Sequence, residues 1–247
     1  MEGRMRPASA ALAVALAAGC VAAPMAVARG GGPLPHGSEP VSLKPASFTT
    51  RITNPFMPMR PGERRIYRET GEDGTVRDVV TVTRRTRLID GVTARVVHDV
   101  ASRRGRVVED TYDWFAQDRR GNVWYLGEAT REIGPGGRVS THGSWEAGRD
   151  GAQAGVVMPA HPRAGQRYRE EYYAGQAEDA ARVLGTHEQV ESPFGLFHHA
   201  VLIADYSPIE PDLVEYKLYA RGVGSVLEVA VSGGHDRAEL VRYVKAR

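Results

Sequence analysis

From Arg64 onward the apolar positions come in short runs of β-branched and aromatic residues, separated by Gly, Asp, Asn and Pro. Such runs predict strands, because Val, Ile, Tyr, Phe and Trp crowd a pleated surface better than a helix. The clearest is Val107 to Glu128, V-V-E-D-T-Y-D-W-F-A-Q-D-R-R-G-N-V-W-Y-L-G-E, where two aromatic runs flank an Asp-Arg-Arg-Gly turn. It reads as a β-hairpin, with Gly121 supplying the positive φ that closes the turn. Before it lie Arg64 to Thr70, the alternating stretch Val76 to Ile89, and Val92 to Ala101, with the hairpin signal Asp90-Gly91 between the last two.

Ser102-Arg103-Arg104-Gly105 repeats the form of Asp118-Arg119-Arg120-Gly121 sixteen residues later, which predicts a meander. If both are four-residue turns, Ala101 pairs with Arg106 and Gln117 with Asn122. Counting outward then sets His98 opposite Glu109, Phe115 opposite Trp124, Asp113 opposite Leu126 and Thr111 opposite Glu128. Asp113 and Glu128 become diagonal neighbours on one face.

Strand patterns return at Thr186 to Glu191, Phe197 to Tyr206, Leu213 to Ala220, Ser225 to Val231 and Ala238 to Val244. The one helical candidate is Gln176 to Leu184, which reads equally as a strand edge. Gly143 to Pro162 holds too many Gly and Pro for a regular element, and a loop of that length inside a domain is functional or mobile. The expected fold is all-β: a curved antiparallel sheet, a half-barrel or a barrel-like meander, with at most one or two short helices.

The N-terminus changes the picture from fold to compartment. Arg4 and Arg6 precede an Ala-rich apolar run, Ala8 to Ala23, too short to span a bilayer stably. Residues 1–28 therefore read as a secretory signal, residues 29–45 as a flexible Gly- and Pro-rich tether, and residues 46–247 as one β domain. Cleavage after Ala28 is favoured by Ala26-Val27-Ala28; the alternative is an imperfect lipoprotein box, Ala17-Ala18-Gly19-Cys20, which would place lipid on Cys20. The expected product is secreted, or else lipid-anchored at the outer face of the membrane. Cys20 is the sole cysteine, so no disulfide holds the fold. Thirty-two Lys plus Arg against thirty Asp plus Glu, with the Arg scattered, argue against a nucleic-acid partner, which needs a basic face.

Three stretches, N-P-F-M-P-M-R-P-G-E-R-R-I-Y, S-P-F-G-L-F-H-H-A-V-L-I and Y-K-L-Y-A-R-G-V-G-S-V-L-E-V, together resemble a group of bacterial secreted proteins and lipoproteins with a LolA-like or TapB-like curved sheet. The stretch from Glu109 to Glu128 resembles an actinobacterial branch of that group. The resemblance implies an envelope-facing half-barrel that holds an apolar or lipidic ligand on its concave side. It carries over no catalytic residue, because its motifs are turns and strand starts.

On the counted register one sheet face carries Arg85, Arg87, His98, Glu109, Asp113 and Glu128 beside Val96, Phe115, Trp124 and Leu126. Apolar surface interleaved with convergent polar groups suits a small-molecule site, so the candidate ligand-binding residues are His98, Glu109, Asp113, Phe115, Trp124, Leu126, Glu128 and, from the Gly-rich loop, Trp145. The competing reading is a solvated face laced with weak ion pairs. Trp145 and Met158 would serve as a lid or as plugs of the barrel mouth. His142 and Glu146 are two ligands where a metal needs three or four, so neither metal nor cofactor is expected. Familiar enzyme signatures are absent; Asp113 and Glu128, with Glu109 beside them, keep a hydrolase open as an alternative, and a purely structural envelope protein is the third.

The first prediction concerns export. The mature protein should begin at Arg29, which intact mass from a culture supernatant checks; a diacylglyceryl-modified Cys20 in the membrane fraction would establish the lipoprotein route instead.

Overall fold

The computed structural model describes residues 33–246, so the expected signal, the start of the tether and Cys20 lie outside the described residues. In chain order the strands are β1 (Phe48–Thr49), β2 (Arg64–Gly71), β3 (Gly74–Ile89), β4 (Val92–Arg103), β5 (Arg106–Asp118) and β6 (Val123–Ala129). Three short pieces follow, β7 (Glu132–Ile133), β8 (Val139–Ser140) and β9 (Trp145–Glu146), and then the longer β10 (Gln153–Met158). The remainder are β11 (Arg167–Arg169), β12 (Glu171–Tyr172), β13 (Ala180–Ser192), β14 (Gly195–Ser207), β15 (Glu210–Ala220), β16 (Gly224–Ser232) and β17 (Arg237–Val244). The described residues contain two 3₁₀ turns, at Pro45–Ser47 and Pro135–Gly137, and no α-helix. The helical candidate at Gln176 to Leu184 is instead the approach to β13 and its first residues.

Antiparallel pairings carry the sheet from β2 through β3, β4, β5 and β6 to β10, and from β13 through β14, β15, β16 and β17 back to β2. β12 pairs with β10, and β11 with β13. These two pieces are one strand interrupted at Glu170, and they bring the ring nearly to closure. Closure removes the exposed edges that would invite aggregation.

The end of the barrel is sealed by Ile52 to Met59, the stretch that its prolines keep out of any helix. Asn54 donates to the carbonyls of Gly121 and Pro159, while Gly222, from the β15–β16 turn, donates to the carbonyl of Pro55. Those turns stand on opposite sides of the ring, so the segment crosses its end. Ile52, Phe56 and Met59 are buried there with Val82, Val97, Phe115, Met158 and Ile203 in the first core cluster. Sealing thus falls to this segment, helped by Met158 but not by Trp145.

A second apolar layer lies outside the β4–β6 wall. Trp114, Ala116 and Leu126 meet Trp145, Ala147 and Ala152 from the Gly-rich loop, with the Arg87 guanidinium 4.2 Å over the Trp114 ring and paired to Glu146. The expected tether is bound from Leu34 onward. Arg169 donates to the carbonyls of Gly37 and Glu39, Val41 to the Gln153 side chain, and Leu43 packs on the second layer.

The counted registers are corrected by irregularities that residue type alone does not reveal. Arg104 (φ 51°) and Gly105 (φ 77°) close a two-residue turn, so Arg103, not Ala101, faces Arg106, and a one-residue shift beyond Ser102 sets His98 opposite Tyr112. The turn displaces the register by an even number and leaves faces alone. The single-residue shift reverses them. Across β5 and β6, Gln117 faces Val123, Phe115 faces Tyr125 and, after a second shift, Asp113 faces Glu128. The second shift sits at Gly127, whose φ of 128° and lack of Cβ let β9 approach: a Cβ there would lie 2.3 Å from the Trp145 carbonyl oxygen.

Gly127→Ala should therefore cost about 2 kcal/mol or more, through a strained φ and a backbone clash together. Urea unfolding checks it; an unchanged midpoint would mean that the bulge is not under this constraint.

Candidate functional site

Above the sealed end the barrel encloses a cavity of about 430 Å³. Its apolar lining is Met59, Val82, Val97 and Phe115 of the first core cluster, with Met57 and Val157 packed against it. The rest is acidic. Five successive strands each turn a carboxyl inward, Glu69 from β2, Asp78 from β3, Asp99 from β4, Asp113 from β5 and Glu128 from β6, and beyond β10 the strand β12 adds Glu171. Glu170, Asp179 and Glu228 complete this belt, and the cations that line the same space are Lys217 and Arg65.

Both cations are already engaged. Lys217 Nζ is 2.7 Å from Asp205 Oδ2. Burial disfavours the Lys217 ammonium, but Asp205 and Glu228 outweigh it and hold the ammonium in place. Arg65 donates to the carbonyls of Val223 and Pro58, tying the sealing segment to the wall. Among the described residues no cation pairs with Asp113 or Glu128. Tyr125 Oη is 2.7 Å from Asp113 Oδ1 and 3.0 Å from Glu128 Oε2. A phenol has one proton to donate, so satisfying both contacts requires a proton on one carboxyl. Glu171 Oε2 accepts from the Trp145 indole N–H at 2.7 Å.

The titration of the belt follows from this setting. These side chains open onto the cavity while protein surrounds them, so ionisation is disfavoured. Burial pushes Asp113 up to about 7, opposed by the Tyr125 hydrogen bond and reinforced by Asp99. Burial and then Asp113 push Glu128 up to about 8. Burial raises Glu69 to about 7. The Asp78 and Asp99 carboxyls are neighbours: burial pushes Asp78 up to about 6, and burial with the Asp78 carboxyl beside it pushes Asp99 up to about 10.

The residues expected to share one face divide between two. Asp113, Phe115 and Glu128 line the cavity, and Glu109, on the same inner side of β5, accepts from Thr111 Oγ1. His98 is outside, 2.7 Å from Asp110 and stacked on Tyr112, so Glu109 is not its partner. Trp124 donates to Asp118 and meets Phe48 edge-on; Leu126 is buried in the outer layer. Trp145 is buried in that layer too, and reaches the belt through its N–H to Glu171 and its backbone pairing opposite Glu128. Asp78 and Asp99 were missed, although each falls in phase with valines, Val76, Val80 and Val82 for one and Val97 for the other. A carboxyl in phase with the apolar face of a strand is the signal that finds them.

No family model matches the chain, and no curated protein matches it. Two solved structures do. One is a protein assigned as exported, with a YmcC-like fold, from Bacteroides fragilis: 16% identity over 77% of this chain and 99% of that one, with a TM-score of 0.45. The other is a protein assigned as a lipoprotein from Parabacteroides distasonis, with 14% identity over 76% of this chain and 98% of that one and a TM-score of 0.44.

The belt makes stability depend on pH with a definite sign. Carboxyls raised in the folded state bind more protons there than in the unfolded chain, so their contribution is full below about pH 4 and is lost as pH rises through 6 to 8. The melting temperature should fall over that range. Asp99→Asn, which keeps a hydrogen-bonding group and cannot ionise, should raise stability at pH 8 by at least about 1 kcal/mol; a loss of stability would show that Asp99 is ionised and paired.

Proposed function

We propose that this chain is an exported binding module that holds a small cationic molecule in the carboxyl belt, with the apolar part of that molecule on Phe115 and the methionines beneath. The observation that carries the reading is the imbalance of the cavity: among the described residues, nine lining carboxyls against two cations, both engaged elsewhere. A cavity of about 430 Å³ is within the range of small-molecule sites, roughly 300–1,000 Å³. A purely apolar or lipidic ligand would match the lower lining but leave the belt without partners, which buried polar groups resist. The signal-like N-terminus supports an exported or envelope-facing place of action.

Hydrolysis by Asp113 and Glu128 is less well supported. Tyr125 Oη sits between the two carboxyls, in the space that a scissile oxygen or an attacking water needs. A purely structural barrel has no use for an unfilled interior lined with carboxyls.

Hexylamine, an ammonium on a short apolar chain, is a suitable probe for calorimetry. It remains protonated well past pH 9, whereas Asp113 and Glu128 ionise near 7 and 8. Binding should therefore tighten about tenfold or more between pH 6 and pH 9, with proton release, as the carboxyls become able to pair with it. Asp113→Asn with Glu128→Gln should weaken it by a similar factor at pH 9. Absence of binding, or an affinity indifferent to both pH and the substitutions, would overturn the reading.

A further inference from the structure

The belt has a spacing as well as a charge. Its members come from neighbouring strands, and neighbouring strands stand roughly 4.8 Å apart. Asp99 and Asp113 are diagonal across β4 and β5, Asp78 and Asp99 are diagonal across β3 and β4, and Asp113 and Glu128 face each other across β5 and β6. An independent sign of an absent partner is Asp78 itself: it is 5% exposed, it lines the cavity, and its Oδ1 has no hydrogen-bond partner among the described residues. A single ammonium placed between Asp113 and Glu128 does not reach it.

Resting on the cation-binding reading, we infer that the ligand is a linear polyamine, whose successive amino groups pair with carboxyls on successive strands from Glu128 to Asp78. Amines joined by three or four methylenes, built from bonds of about 1.5 Å, are roughly 5–6 Å apart when extended, near the separation of facing residues, and the carboxyl side chains lean in to cover the roughly 7–8 Å between the backbones of diagonal ones. The methylenes between them fit a wall in which valines alternate with the acids, Val80 beside Asp78 and Val97 beside Asp99. Lys217 shows the same chemistry within the chain, an alkyl ammonium held against Asp205.

The test is a homologous series titrated into the intact protein at pH 8: hexylamine, 1,4-diaminobutane, spermidine and spermine, with one, two, three and four amino groups. Affinity should rise about tenfold for each added amine until the belt is spanned, the change that one charge-assisted hydrogen bond supplies. Asp78→Asn should remove about tenfold from spermine and leave hexylamine unchanged; since it neutralises a buried carboxyl it should not unfold the chain, which its melting curve checks. Equal affinity across the series, or equal losses for hexylamine and spermine in Asp78→Asn, would overturn the polyamine inference while leaving a cation site. Failure of every amine to bind would overturn both.

Discussion

A ring of this many strands encloses more space than side chains can fill. Eight strands already leave an interior just wide enough for side chains to meet; here, with β11 and β12 counted as one, twelve stand round the axis. The interior must therefore be filled by another part of the chain or left for solvent and ligand. This protein does both. The proline-rich segment Ile52 to Met59 crosses one end and supplies Phe56 and Met59 to the core, and what lies above it remains a cavity. Arg65 is the joint between the two solutions, since its guanidinium holds the Pro58 and Val223 carbonyls at the floor.

The formal charge of the whole chain, +2, conceals a separation between inside and outside. Carboxyls collect on the inner wall, whereas arginines such as Arg87 and Arg149 remain on the surface, in pairs with Glu146. Inside, repulsion and desolvation act in the same direction and both favour protonated carboxyls. The neighbours then sort which ones keep a proton: Asp99 is stabilised in its neutral form by the Asp78 carboxyl beside it, whereas the Tyr125 bond opposes the rise in Asp113. A binding site that stores protons when empty gives up some stability near neutrality, and a cation entering it recovers that loss. Stability and binding are thus one electrostatic balance seen from two sides.

Much of the fold was legible. Period-two runs and Gly-containing turns specify antiparallel strands wherever they occur, because side-chain alternation and positive φ are local properties; Gly105, Gly121 and the pair Asp90-Gly91 all have the positive φ that their turns need. The candidate site was half legible. Asp113 and Glu128 were placed on one face, although they stand opposite rather than diagonal, because the longer turn at Asp118 and the bulge at Gly127 each shift the register by one in the same direction, and a shift of two leaves the faces unchanged. Between those irregularities the parity is reversed, which is why Trp124 and Leu126 point away from the cavity that Phe115 faces.

The sequence by itself determined the strand class, the main turns and the alternation that makes each strand two-faced, since all of these depend on neighbours a few residues apart. Only the tertiary structure decided which face is the inside. That choice depends on β9 pressing against Gly127, on the Gly-rich loop covering Trp114 and Leu126, and on β17 returning to β2 to complete the ring. Each is a contact between distant segments, and a one-residue shift made by any such contact moves a carboxyl from solvent to cavity.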